Sequence, residues 1–123
     1  MLYAILCYDQ EEVVGAWTQE QDDTAIAKLG VVQQKLAAQG RLGPVARLQP
    51  TRAARTLKKG KQAMLLDGPF AETKEALLGF FIVECESMEQ AVETAKELGA
   101  ASSSEGSYEI RPLRVFHPGA AGT

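Results

Sequence analysis

Apolar residues fall along this chain in two rhythms, near-continuous runs and helical stripes, and their order predicts a fold. Leu2-Tyr3-Ala4-Ile5-Leu6-Cys7-Tyr8 is an unbroken apolar run, the pattern of a strand buried on both faces. Residues 9–17 read as a loop with room for one helical turn. Thr18-Gln19-Glu20-Gln21 has the spacing of a capping box, with Thr18 at the cap and Gln21 reaching back. Asp22 and Asp23 suit the positive end of the helix dipole that follows. Ile26, Leu29, Val32 and Leu36 then mark one face, and Gly40 closes the helix. Residues 41–48 read as a second strand. Pro44 cannot donate to a ladder, which places that strand at a sheet edge or a bulge.

Gln49-Pro50 turns the chain, and residues 54–58 and 62–66 read as a hairpin around Lys59-Gly60. Residues 78–84 are again nearly all apolar, which predicts a central strand beside the first and running parallel to it. Ser87-Met88-Glu89-Gln90 repeats the capping spacing. Met88, Ala91, Val92, Ala95 and Leu98 form a helical stripe that Gly99 is expected to end. A small-residue loop leads to a last strand over residues 107–116, with Pro112 again pointing to an edge. The order β-α-β, hairpin, β-α-β predicts an α+β ferredoxin-like split βαβ fold, one domain over residues 1–117 with a flexible tail at 118–123. Both helices on one face leave the other face of the sheet open and partly apolar. A homodimer packed sheet to sheet would cover it.

Composition narrows the function classes. The 123 residues are 46% hydrophobic and 24% charged, ordinary for one soluble domain. No apolar run approaches the roughly 18 residues of a membrane span, and no signal-peptide pattern opens the chain, so a cytoplasmic location away from membranes is expected. Two cysteines, Cys7 and Cys85, are too few for a disulfide scaffold. With the two central strands parallel, both would lie near one end of the sheet, as inert thiols by default. A lone histidine, His117, sits in the tail, so neither a metal site nor a cofactor is expected.

Charge is unevenly spread. Residues 41–61 hold seven of the 13 basic side chains and no acid, leaving six basic against 16 acidic groups elsewhere. Such a segment could attract a small anionic ligand or an acidic protein partner; it could equally blunt the edges of a solvated hairpin. Nucleic acid is a poor candidate. Gly79-Phe80-Phe81-Ile82-Val83 faintly echoes RNA-recognition sheets, but Phe80 and Phe81 must point to opposite faces and the net charge is −3.

The densest specification lies in Asp67-Gly68-Pro69-Phe70-Ala71-Glu72-Thr73-Lys74-Glu75, a loop between two apolar runs. Pro69 fixes its own φ and constrains Gly68, and Asp67 is placed to act as a turn aspartate or as a functional acid. Were Phe70 to desolvate it, the Asp67 carboxyl would move towards general-base values. Glu72, Lys74 and Glu75 can bind a polar ligand or pair with one another. Arg111, inside the last strand, needs a partner: Asp67, Glu75, or a ligand carboxylate or phosphate. Tyr3 and Tyr8 can supply phenols to a cleft or simply pack.

These residues resemble the YCII-related family, specifically its DGPF branch, through the nine-residue loop, Gly79, Leu48-Gln49-Pro50 and Glu109-Ile110-Arg111-Pro112. The resemblance implies a dimeric α+β barrel of ferredoxin-like subunits. Many members of the wider family are regarded as enzymes because they carry a histidine in the first helix and an aspartate after the second. Here Lys28 and Leu29 stand near the first position, and residues 99–106 hold no aspartate, so that pair does not carry over. Similarity to proteins encoded near extracytoplasmic-function sigma factors implies a regulatory connection. Two readings follow: a small-molecule binder or cofactor-independent acid–base enzyme with a cleft around Asp67, Phe70, Glu72, Lys74 and Arg111, or a non-catalytic interaction module using the basic segment. Whether the protein is an enzyme stays open at this stage.

Overall fold

The computed structural model describes residues 1–122. In chain order the elements are β1 (Leu2–Asp9), α1 (Glu11–Gly15), α2 (Gln19–Ala38), β2 (Leu42–Arg47), a 3-10 turn (Thr51–Ala53), β3 (Arg55–Lys58), β4 (Met64–Asp67), β5 (Ala76–Glu84), α3 (Met88–Ala101) and β6 (Ser107–Pro112). Four strands form one sheet in the order β2-β5-β1-β6, with every neighbouring pair antiparallel. This is the ferredoxin-like order expected of two βαβ units. Strands β3 and β4 form a separate two-stranded sheet.

Local chemistry sets the helix ends. Gln21 donates its backbone N–H to Thr18 Oγ1 at 3.1 Å, and Thr18 N–H reaches Gln21 Oε1 at 2.9 Å, which completes the capping box. At the other end of α2, Gly40 takes φ 69°, Arg41 N–H bonds Leu36 O at 2.9 Å and Gly40 N–H bonds Ala37 O at 3.0 Å. That pairing is a Schellman stop, and it needs the glycine. Ser87 caps α3 by accepting from Gln90 N–H at 3.1 Å. The end of α3 differs from expectation. The helix runs through Gly99 to Ala101 and stops where Ser102 turns extended.

Alternation along the strands puts Tyr3 and Ile5 of β1 and Phe81 and Val83 of β5 on the helix side. Against them pack Val32 and Leu36 from α2, and Ala91, Ala95 and Leu98 from α3. On α2 the inward position is Ala25, and Ile26 is 55% exposed. Either residue fits the spacing to Leu29, and the smaller one faces the sheet. Pro44 sits where the β2–β5 register slips between Leu42 and Val45, so the edge and bulge expectation holds. The last strand stops at Pro112 rather than Phe116, because Leu113 N–H already bonds Leu2 O and β1 offers nothing beyond. Residues 113–122 carry no strand or helix, and Thr123 lies outside the described residues.

Strand direction corrects another expectation. β1 and β5 are adjacent but antiparallel. A helix returns the chain so that β2 points the same way as β1, and the connection through the hairpin reverses it again before β5. Cys7 therefore lies opposite Gly79, and Cys85 lies at the far end of the sheet, with its N–H on Met1 O. The two thiols cannot meet.

Arg41 joins three elements at that far end. Its Nη2 donates to Thr94 Oγ1 at 2.6 Å and to Cys85 Sγ at 3.4 Å, Nη1 to Gln39 Oε1 at 3.1 Å, and Nε to Glu84 O at 3.0 Å. Among the described residues Thr94 is the buried polar one.

Candidate functional site

Between the helix side of the sheet and the two long helices lies a partly open cavity of about 550 Å³. Small side chains on four elements leave room for it. Cys7 on β1, Gly79 on β5, Ala25 on α2, and Ala95 and Gly99 on α3 all line it. Gly79 is fixed by the β2 backbone, because a Cβ there would collide with Ala46 O. Gly99 meets no such obstacle: a Cβ would find only Tyr108 Cε2, at 3.8 Å. Trp17, from the segment after α1, forms part of the wall.

Chemical groups gather at one end. Cys7 and Tyr108 are direct cross-strand partners in the β1–β6 register, and alternation turns both towards the helices. Asp9 follows two residues along β1, accepting Gln10 N–H on Oδ1 at 2.8 Å. Its carboxyl lies against Gly106, where any side chain would collide with Tyr8 O. Ser102 and Ser104, from the loop after α3, hydrogen-bond each other at 3.0 Å. The Tyr108 ring meets Phe81 edge to face, with centroids 6.4 Å apart.

The pKa values of two of these groups are displaced. Burial pushes the Cys7 thiol up to about 12. Tyr108 is also raised to about 12, first by burial, then by the neighbouring Cys7 and Asp9, with a hydrogen bond to Ser102 pulling the other way. Both side chains are therefore neutral at physiological pH. They can donate hydrogen bonds, but the thiol is no nucleophile.

The residues singled out from sequence lie elsewhere. Asp67 ends β4 with its side chain 98% exposed, and its Oδ1 is 3.8 Å from Arg55 Nε. The loop itself is well held. Gly68 takes φ 91°, its N–H bonds Ala54 O at 2.8 Å, and its carbonyl accepts from Thr56 Oγ1 at 3.0 Å. Phe70 is 85% exposed, and Glu72 and Lys74 are exposed as well. Glu75 reaches the main sheet, accepting from Ser107 Oγ at 2.8 Å. Arg111 pairs with Glu109 of its own strand at 3.8 Å, so it holds neither Asp67 nor Glu75. Tyr3 is buried in the core, and the Tyr8 hydroxyl lies 3.5 Å from Glu109. None of Asp67, Phe70, Glu72, Lys74, Glu75 or Arg111 lines the cavity.

The cavity residues Asp9, Trp17, Gly99, Ser102 and Tyr108 escaped the sequence reading. One signal for them existed: a glycine in register with a helical stripe. Among the described residues, no three of His, Cys, Asp and Glu come together as a metal site, and no helix is long and apolar enough to cross a membrane.

Comparison with known proteins agrees over nearly the whole chain. The model of the YCII-related domain matches residues 1–117. A protein of Rhizobium meliloti (strain 1021), named only as uncharacterised, is 50% identical over 120 residues, covering 97% of each chain.

Proposed function

The chain belongs to the YCII-related domain family, and from that footing we propose that it binds a small molecule in the cavity between sheet and helices. The observation that carries this is the cavity itself. Its roughly 550 Å³ falls within the size range of ligand pockets, and a phenol, a thiol, a carboxylate and two serines converge at one end of largely apolar walls. Tyr108 and Ser102 are placed to hydrogen-bond an oxygen of a bound molecule, and Asp9 supplies a carboxylate beside them. That set supports cofactor-independent acid–base chemistry as an extension of binding, with Tyr108 as a hydrogen-bond donor to developing negative charge. Trp17 is the sole tryptophan and forms part of the wall, so its emission reports on occupancy. Compounds that raise the thermal midpoint in a screen should also change Trp17 emission. Hits that leave Trp17 unmoved would put binding elsewhere.

The Asp67-Gly68-Pro69-Phe70 motif favours the DGPF branch of the family, and with it a homodimer forming an α+β barrel. Leu6 and Phe80, cross-strand partners on the face away from the helices, are the apolar surface such a partner would cover. In that assembly the loop residues Asp67, Phe70, Glu72, Lys74 and Glu75, and Arg111 on β6, would belong to the rim of a subunit interface or to a second polar site.

One observation favours the alternative, a non-catalytic module tied to an extracytoplasmic-function sigma factor pathway. The β3–β4 hairpin exposes Leu57, Met64 and Leu65 among basic residues. Charge reversal at Arg52, Arg55 and Lys58 should then weaken capture of an acidic protein partner and leave small-molecule binding untouched. Capture that is insensitive to those changes would remove this reading.

A further inference from the structure

We infer that the cavity takes a neutral, largely apolar ring compound carrying one hydroxyl or carbonyl oxygen, and that Gly99 sets how large that compound can be. This rests on the cavity being the binding site and adds to it the class of ligand.

Charge decides the first part. Among the described residues the charged side chains along the wall are Asp9, Arg47 and Lys96. Arg47 Nη2 is held by Asp22 Oδ1 at 3.0 Å, and Lys96 Nζ by Glu93 Oε1 at 3.1 Å. Both cations are more than half exposed and paired with surface carboxylates, so their charged heads stay in water rather than inside the cavity. Asp9 is engaged by Gln10 N–H and backed by Gly106, and it repels an anion. The polar groups that remain are uncharged: the Tyr108 phenol, kept protonated by its surroundings, the Gln33 amide, and the Ser102 and Ser104 hydroxyls, which would exchange their mutual bond for one to a ligand. An anion would lose its hydration with no opposite charge inside the cavity to receive it, and a cation would meet only Asp9, whose carboxylate already accepts Gln10 N–H. A neutral ligand needs only a partner for its oxygen.

Gly99 decides the second part. Glycine inside a helix is less stable than alanine, so its presence here asks for a reason. Nothing crowds this position, since a Cβ would make only an ordinary contact with Tyr108. What the missing side chain leaves is space directly in front of the phenol. A leucine there would extend into the room a ring must occupy to reach Tyr108.

Naphthalene itself and three derivatives that differ in charge test this: 2-naphthol, 2-naphthoate and 2-naphthylmethylammonium, each titrated calorimetrically at pH 7 into the wild type, Gly99→Leu and Tyr108→Phe. Circular dichroism and the thermal midpoint establish that each variant is folded, and Gly99→Ala serves as a conservative control should Gly99→Leu fail to fold. The expected result is that 2-naphthol binds at least tenfold tighter than either ion. Gly99→Leu should abolish this binding and Gly99→Ala should weaken it, while Tyr108→Phe should erase the advantage of 2-naphthol over plain naphthalene. If either ion binds as tightly as 2-naphthol and Gly99→Leu still abolishes binding, the ligand class is overturned while the site stands. If binding ignores both Gly99 variants, the site itself falls. If no naphthalene binds, the proposed class is overturned, and the separate screen read through Trp17 still decides the cavity.

Discussion

Arg41 shows how differently one residue reads in sequence and in space. It opens the basic stretch 41–61, yet its guanidinium is turned inwards onto Thr94, Cys85 and the Glu84 carbonyl. Hydrogen bonds from a charged donor to buried groups are worth about 1.5–3 kcal/mol, and removing the donor leaves Thr94 Oγ1 only its bond to Gln90 O and its contact with the Cys85 thiol. Arg41→Ala should therefore lower unfolding stability by about 2 kcal/mol, read from the urea midpoint at unchanged slope. Arg41→Lys should recover only part of the loss, since one ammonium cannot reach groups arranged for a planar fork. Nothing in a run of charges says which member folds inwards, so this role was illegible from sequence. The Cys7–Tyr108 pair makes a prediction in pH. Both acids keep their protons in the folded protein to about 12, above their ordinary values of 9.0 and 10.0. The native state thus binds more protons than the unfolded chain across that window. Their contribution to stability is complete below about pH 9 and declines as pH rises towards about 12. Urea unfolding at pH 7, 9 and 10 should show that decline in the wild type, with a shallower slope in Cys7→Ala. An equal slope in both would remove Cys7 as its source.

Among the elements, α3 makes the most pointed case. Its start was legible because Ser87 and Gln90 sit at a fixed spacing, and the structure shows that bond. Its end was not, because glycine at a helix terminus and glycine kept for space look identical in sequence. Gly99→Ala separates the two meanings. At a left-handed C-terminal position alanine would destabilise; within the helix observed here it should stabilise by about 0.5–1 kcal/mol. Chemical denaturation measures the sign directly, and a loss of stability would contradict the helical placement of Gly99. The same contrast runs through the other elements. The α2 capping box, the Pro44 bulge and the Gly68 turn were legible, each being fixed by neighbours within a few positions. The direction of β5 against β1 was not, since it follows from counting chain reversals rather than from any side chain. The cavity is harder still. It arises from small residues on β1, β5, α2 and α3 that share no spacing, so only their meeting in space makes a site.

At the scale of the whole molecule, the chain has two faces with different degrees of completion. On the helix side Ile5, Val83, Leu36 and Leu98, each fully buried or nearly so, close the core beside the cavity. On the other side Ala4 and Ile82 are already buried, but Leu6 and Phe80 are only half-buried, next to Glu109 and Arg111, which pair with each other along the edge strand. The hairpin adds Leu57 and Leu65 as an exposed cross-strand pair, on a two-stranded sheet of a kind that is marginal by itself. Apolar surface left in this way on a small domain favours a second subunit. A charge at the centre of the open face tests this without disturbing the closed core. Leu6→Glu would place a carboxylate beside Phe80 and opposite Glu109, where a dry subunit interface could not accommodate it. In a single chain the same carboxylate would reach water at small cost. Sedimentation at micromolar concentration should therefore find wild-type dimers and Leu6→Glu monomers, with matching far-ultraviolet circular dichroism. A wild type that sediments as a monomer would leave the open face without a partner of its own kind. A Leu6→Glu variant that stays dimeric would move the interface to the hairpin, where Leu65→Lys becomes the discriminating change.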